Sequence, residues 1–294
     1  MTEAWPDLSI VIVSWNTRDL LDACLVSIRA IPDAVTREVI VVDNASTDGT
    51  AEMVRDDHPD VSLIANEENR GYAAGNNQGI ALAAGRDVLL LNPDIVVLEG
   101  ALDTLAGLLD DRPQVGAVAP RLVLMDGSTQ ASCRSFPTPD VVLYEALGLS
   151  RLFPRSRRFG KYRMTWWDYD DERPVDQPMA SALLLRGEAL EQVGGMDEDF
   201  PIFFNDVDLC KRLWEAGWEV WYTPGASMVH VGGASTRQAR RRMIVESHRS
   251  FEFFYRKHYR GRISWWSYWM ALGLLRLGFR LRLLGHDFRR MLSR

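Results

Sequence analysis

The run Asp87-Val88-Leu89-Leu90-Leu91 is too continuously apolar for a strand with one face in water, and it stops abruptly at Asn92-Pro93-Asp94. Such a run belongs in a sheet covered on both faces, which implies a mostly parallel α/β sheet with helices above and below. Two earlier runs repeat the design. Leu8-Ser9-Ile10-Val11-Ile12-Val13 stops at Ser14-Trp15-Asn16, and Glu38-Val39-Ile40-Val41-Val42 stops at Asp43-Asn44-Ala45-Ser46. In open α/β sheets ligands bind beyond the carboxyl ends of the strands, so the three polar tips are the first candidates for a site. Asp94 offers the carboxylate that a hard ion such as Mg²⁺ or Mn²⁺ takes, although Asn-Pro-Asp is also ordinary turn chemistry.

Helices are expected over 18–30, 49–56, 75–84 and 99–111, the last ending ahead of Pro113, with a short strand over 115–120. Residues 125–175 are irregular and rich in Arg, Pro and aromatics. A segment of that kind reads either as a loop facing an acceptor or membrane, or as a solvated insertion. Order resumes with a strand over 179–186 and a short helix over 188–193 closed by Gly194-Gly195. Leu209, Cys210, Leu213 and Trp214 then mark one face of a helix, with Asn205 as N-cap, Gly217 as its stop, and Asp206 and Asp208 in its first turn.

Several of these residues carry chemistry. Ser46, Thr47 and Asp48 suffice to cap the following helix, but Asp43 precedes the cap and suits a ligand that donates hydrogen bonds, such as a base or ribose. Asn69-Arg70-Gly71-Tyr72-Ala73-Ala74-Gly75-Asn76-Asn77-Gln78-Gly79 spaces glycines every four residues, for close ligand approach or for close helix packing. His230, ahead of Gly232-Gly233, is either a satisfied strand-end residue or a ligand to a divalent ion. Asp206 and Asp208 complement the dipole of their helix, and each is also a candidate general base for an alcohol. His248 and His258, ten apart in a basic aromatic stretch, receive no metal role.

Other classes lose support. Neither G-x-G-x-x-G nor a Walker loop is present, and Ser14-Trp15-Asn16-Thr17-Arg18 lacks the glycines that a sugar nucleotidyltransferase would place after its first strand. Cys24, Cys133 and Cys210 are scattered, which favours a reducing compartment over a disulfide or zinc framework. The start lacks the layout of a signal peptide, and no uncharged apolar run is long enough to span a bilayer, so a cytoplasmic location is expected.

Together these motifs resemble the inverting family 2 glycosyltransferases of the GT-A fold, especially the bacterial rhamnosyltransferase-like branch. The resemblance covers residues 8–240 and rests on Ser14-Trp15-Asn16, Val42-Asp43-Asn44-Ala45-Ser46, Asn69-Arg70-Gly71, Asn77-Gln78-Gly79, Leu91-Asn92-Pro93-Asp94, Asn205-Asp206-Val207-Asp208-Leu209 and His230. It implies a nucleotide-diphosphate sugar donor, dTDP-L-rhamnose on branch resemblance, or otherwise a galactofuranose, GlcNAc or other hexose donor. Donor-binding residues would be Ser14, Trp15, Asn16, Asp43, Asn69, Gly71, Asn77, Asn92 and Asp94. Asp94 and His230 would hold Mg²⁺ or Mn²⁺, and Asp206 aligns with the family's general base. Asn92 replaces the first acid of a DxD motif and Asn205 the usual Glu, which keeps Asp208 as the alternative base. A non-catalytic nucleotide-sugar-binding subunit is the non-enzymatic rival. Residues 1–120 would form the nucleotide-sugar half and 121–240 the acceptor half.

Beyond residue 240 the chain changes character. From Arg237 onward there are 15 Lys+Arg against 3 Asp+Glu, a net +12 on a body of −18. Ile263 to Leu275 is uncharged, dense in Trp and Tyr, too short to span a bilayer, and followed by Arg276, Arg280 and Arg282. Residues 241–294 are therefore expected as an amphipathic helical tail on the inner face of the plasma membrane, and a lipid-linked glycan would suit as acceptor. Nucleic acid is not expected as a partner, because no recognition motif accompanies the basic charge.

Overall fold

A computed structural model describes residues 5–200, 202–232 and 240–292. Its strands are β1 (Leu8–Ser14), β2 (Arg37–Asp43), β3 (Ser62–Ala65), β4 (Asp87–Leu91), β5 (Ile95–Val97), β6 (Val115–Leu124), β7 (Cys133–Arg134), β8 (Arg173–Pro174), β9 (Gln177–Pro178), β10 (Ala182–Arg186) and β11 (Glu219–His230). Helices are α1 (Arg18–Ala30), α2 (Thr50–Asp57), α3 (Tyr72–Leu82), α4 (Ala101–Asp111), α5 (Pro139–Ala146), α6 (Leu149–Leu152), α7 (Gly187–Val193), α8 (Asn205–Glu215), α9 (Arg240–Tyr259) and α10 (Trp265–Leu292). The main sheet runs β3-β2-β1-β4-β10-β6-β11-β5, with β8 beside β11. Strands β3, β2, β1 and β4 are mutually parallel, as are β6 and β11, and β10 lies antiparallel between β4 and β6. The two expected halves thus share one sheet.

Alternation within the apolar strands explains the two covered faces. Ile10, Ile12, Leu89, Leu91 and Leu184 point to a cluster with Leu21, Leu25, Met53, Leu102 and Leu105, from α1, α2 and α4. Val11, Val88, Leu90, Leu183 and Leu185 point to the opposite cluster, with Ala73, Leu190, Leu209 and Leu213 from α3, α7 and α8. Each such buried Leu or Ile contributes roughly 1.5–3 kcal/mol. The glycine spacing in α3 proves to be a packing device. A Cβ at Gly75 would lie 2.8 Å from Val13 Cγ1, and one at Gly79 2.3 Å from Val11 Cγ1, so only glycine lets this helix sit on β1.

Several boundaries move. Helix α3 begins at Tyr72, three residues before the expected start, because Gly71 turns the chain with φ +88 and its N–H is held by Asn69 Oδ1 at 2.9 Å. Strand β6 extends to Leu124, and β10 starts at Ala182, since Met179 N–H is still bonded to Ser132 O beside β7. Asn205 is the first helical residue of α8, not its N-cap; that place belongs to Phe204, in left-handed conformation with φ +70. The irregular segment contains α5 and α6. Gly233, the second of the two glycines after His230, lies outside the described residues.

The core does not stop at residue 240. Phe254 and Tyr255 of α9 are fully buried in the cluster that holds Leu209 and Leu213. Helix α10 packs on α9 and α5, turning Tyr268, Ala271 and Leu272 inward and leaving Trp265, Trp266, Trp269, Leu277, Leu281 and Leu284 exposed. Among the described residues, no helix is long and apolar enough to cross a membrane.

Candidate active site

The tips of β1 and β2 are stitched into one rim. Asn44 N–H donates to Ser14 O at 2.9 Å, Asn16 N–H to Ser46 Oγ at 2.8 Å, and Thr47 N–H to Asn16 Oδ1 at 2.8 Å. These cross-bonds hold Asn16 (φ +52) and Ala45 (φ +59) in a backbone region that non-glycine residues seldom occupy, and such strain is commonest at functional sites. Ser14 is buried with its hydroxyl 2.8 Å from Thr17 Oγ1, whereas Trp15 is exposed at the lip. Asp43, 2% exposed, accepts one hydrogen bond from Ser46 N–H at 3.1 Å through Oδ2. Its Oδ1 is buried with no partner among the described residues, a costly arrangement that a donor group on a ligand would relieve.

Asn77 is engaged elsewhere. Its amide donates to Met196 O at 2.8 Å and Glu198 Oε1 at 2.9 Å, and its Oδ1 accepts from Met196 N–H at 2.8 Å. It braces the segment after Gly194-Gly195 against α3. Asn69 is exposed and serves the Gly71 turn.

Asp94 and His230 come together through β5. After Pro93 the apolar run Ile95-Val96-Val97 crosses to pair with β11, placing Ile95 opposite His230, and Val231 N–H donates to Asp94 O at 2.9 Å. His230 Nε2 then stands 3.3 Å from Asp94 Oδ2, and Nδ1 stands 2.7 Å from Gln130 Oε1. If Nδ1 donates to Gln130, a neutral ring turns the lone pair of Nε2 toward a carboxylate, and two facing acceptors need a shared proton or cation. That donor set fits a divalent ion. No group of three or more His, Cys, Asp or Glu with metal-binding geometry occurs among the described residues.

Asn92 orients what lies between this pair and Asp206. The hydroxyl of Tyr72 donates across to Asn92 Oδ1 at 3.2 Å and Ala180 O at 3.0 Å, while Asn92 Nδ2 reaches Ser181 Oγ at 3.3 Å. Ala180 N–H in turn faces Asp206 Oδ2 at 3.4 Å, and Val207 N–H donates to Asp206 Oδ1 at 2.9 Å. Burial raises the Asp206 pKa, and these backbone donors offset it only in part; no cation pairs with the carboxylate among the described residues. Tyr72 reports the neighbourhood: burial raises its pKa first, and the charges of Asp206 and then Asp94 raise it further.

Asp208 has the opposite surroundings. Fully buried, it receives Arg212 Nε at 2.8 Å, Lys257 Nζ at 2.7 Å and His258 Nε2 at 2.7 Å. Burial pushes its pKa up, but hydrogen bonds from His258, Lys257 and Arg212 outweigh that and bring it down to about 2. Arg212 also reaches the carbonyls of Val193 and Gly195 at 2.6 and 2.7 Å, and Lys257 reaches Asp197 at 2.6 Å. This cluster fastens α8 to α9. Sequence reasoning missed Tyr72, Gln130, Lys257 and His258. Arg212, four residues after Asp208 on one helix, was the one signal available.

The model of the family "Glycosyl transferase family 2" matches residues 9–170, more than half of the chain. An N-acetylglucosaminyl-diphospho-decaprenol L-rhamnosyltransferase of Mycobacterium tuberculosis (strain ATCC 25618 / H37Rv) is 31% identical over 277 residues, covering 90% of this chain and 87% of the relative. A low-salt glycan biosynthesis hexosyltransferase of Haloferax volcanii is 26% identical over 210 residues, 70% of this chain and 61% of the relative. Among solved structures, a mannosyltransferase from Pyrobaculum calidifontis in complex with GDP-Man and Mn²⁺ matches with a TM-score of 0.61 at 21% identity, over 96% of this chain and 73% of that one. GalNAc-T7 with UDP, GalNAc and Mn²⁺ matches with a TM-score of 0.60 at 13% identity, over 85% and 48%. These likenesses bear on the fold, which is that of the GT-A glycosyltransferases.

Proposed function

The chain belongs to the family 2 glycosyltransferases, and from that premise we propose that it moves L-rhamnose from dTDP-L-rhamnose, with inversion, to a hydroxyl of a lipid-linked glycan. The observation that carries the reading is the pairing of a desolvated Asp206, which meets no cation among the described residues, with the Asp94–His230 pair across Tyr72. The rhamnosyl and lipid-diphosphate parts rest on the relative from Mycobacterium tuberculosis.

In this mechanism Asp43 Oδ1 accepts from the base or ribose of the donor. Asp206 removes the acceptor proton as that oxygen attacks the anomeric carbon, and its raised pKa strengthens it as a base. Asp94 and His230 would hold a Mg²⁺ or Mn²⁺ ion, which when bound offsets charge on the departing diphosphate. Asn92 and Tyr72 keep Ala180 N–H directed at the base. Asp208 acts through its grip on α9 and not on substrate.

The exposed tryptophans and leucines of α10, with Arg280 and Arg282 among them, suit a bilayer interface, so the enzyme works at the inner face of the plasma membrane. The whole reading is tested with the full chain, Mn²⁺, a nucleotide-sugar panel and a GlcNAc-diphospholipid acceptor. Rhamnosyl transfer is expected. Transfer of another hexose instead would reassign the donor, and donor binding without any turnover would leave a non-catalytic subunit. Flotation with anionic liposomes, unchanged after Trp266→Ala and Trp269→Ala together, would refute the membrane role.

A further inference from the structure

Among the described residues, Arg134 is a half-buried cation with no carboxylate partner. Only its Nη1 is engaged there, with the carbonyls of Ala131 and Cys133, each at 2.7 Å. It lies on β7, and the pairing of β7 with β9 carries it close to the base: Met179 N–H donates to Ser132 O at 3.0 Å, and the next residue, Ala180, faces Asp206. On the other side Ser135 N–H donates to Tyr162 O at 3.0 Å, which draws in the segment after α6. Burial raises the Tyr162 pKa, Arg134 and Arg163 act against that rise, and Asp206 adds to it, so these groups surround one phenol. Ser135, 6% exposed, has its Oγ buried with no partner among the described residues.

The surrounding charge is unbalanced. Residues 146–167 hold six cations, Arg151, Arg155, Arg157, Arg158, Lys161 and Arg163, and no acid. Of these, among the described residues, only Arg163 meets a carboxylate, Glu145 at 3.2 Å. Beside them Leu147, Leu152 and Phe153 are 59%, 69% and 51% exposed. Unneutralised guanidinium groups next to an apolar surface suit a phosphate that carries a hydrocarbon chain.

We infer that Arg134 and Arg163, with the hydroxyls of Tyr162 and Ser135, form the subsite for the diphosphate of an isoprenoid acceptor, whose chain leaves over Leu152 and Phe153. This rests on the lipid-linked acceptor proposed above and names the residues that read it. The acceptor sugar would then extend from the anchored diphosphate toward Asp206. Arginine supplies charge-assisted, bidentate contacts to phosphate that a neutral amide cannot replace.

The probe is farnesyl diphosphate, titrated calorimetrically into the full chain without vesicles, against farnesol as the phosphate-free control. Wild type should bind the diphosphate at least tenfold more tightly than farnesol. Arg134→Gln should remove roughly tenfold to a hundredfold of that affinity and Arg134→Lys less, at unchanged far-UV dichroism and unchanged binding of nucleotide sugar. Binding to phosphatidylglycerol vesicles should stay the same. The inference is overturned if wild type shows no preference for the diphosphate, if Arg134→Gln leaves the preference intact, or if the loss falls on vesicle binding, which would make Arg134 a headgroup contact. Should the diphosphate bind as expected while no nucleotide sugar binds, the donor reading fails and this subsite stands.

Discussion

The rim at the strand tips and the α8–α9 side are built in different ways. At the rim each candidate side chain sits at or just beyond the end of a strand, and short bonds between neighbouring loops hold it, as Asn16 and Thr47 or Asn44 and Ser14 do. On the other side Asp206 is placed by a helix that depends on partners far along the chain, Lys257 and His258 on α9. The rim follows directly from strand order. Asp206 is only as well placed as a buried charge cluster makes it. Asp206 and Asp208, two residues apart on one helix, show the consequence: burial raises the pKa of one, and three donors bring the other down to about 2.

The sharpest way to break this contrast is to exchange the two carboxylates for amides. Asp206→Asn is expected to lower turnover by about 10²–10⁴ with little change in stability, since general-base catalysis supplies that much. Near-normal turnover would remove the base role from Asp206. In wild type the acid limb of turnover should lie above the ordinary aspartate value of about 3.9, because the carboxylate must be ionised and its pKa is raised. Activity is therefore lost as pH falls through that raised value.

Asp208→Asn should act the other way round. Removing one member of a buried ion cluster costs on the order of 3–5 kcal/mol. Urea denaturation should show such a loss, lessened by the partners that Lys257 and His258 keep in Asp197 and Glu215. Because the folded-state pKa is depressed, this stabilisation is complete above the unfolded value of about 4. It fades as pH falls toward about 2. A stable Asp208→Asn protein with abolished turnover would reverse the assignment of the two aspartates.

Legibility follows the same division. Short apolar runs such as Val88-Leu89-Leu90-Leu91, closed by a turn such as Asn92-Pro93, read as two-faced strands, so the sheet and the strand-end positions of Asp43 and Asp94 are legible in the amino-acid order alone. The register that joins Asp94 to His230 is not, because it depends on β5, a three-residue strand whose partner lies more than 130 residues later. Glycine spacing in α3 leaves ligand approach and helix packing open, and the Val11 and Val13 side chains decide for packing. His258 carries no pattern at all. Its partner Asp208 is 50 residues away and on another helix, a separation at which neither periodicity nor motif spacing speaks.

Among the candidate donor-binding residues, the smallest expected effects separate Asp43 from Asn77, which sequence alone placed in one set. Asp43 Oδ1 has no partner among the described residues, so Asp43→Asn gives up little of the folded state and should raise the donor KM by roughly tenfold, about the value of one hydrogen bond to a charged group. Asn77 spends both ends of its amide on Met196 and Glu198. Asn77→Ala leaves Met196 N–H and O without those partners, and should cost about 1–3 kcal/mol in denaturation with the donor KM unchanged. A raised donor KM in Asn77→Ala at undiminished stability would return Asn77 to the donor site. The brace on Gly194-Gly195 would then be a secondary role, and the rim would extend along α3 further than its hydrogen bonds indicate.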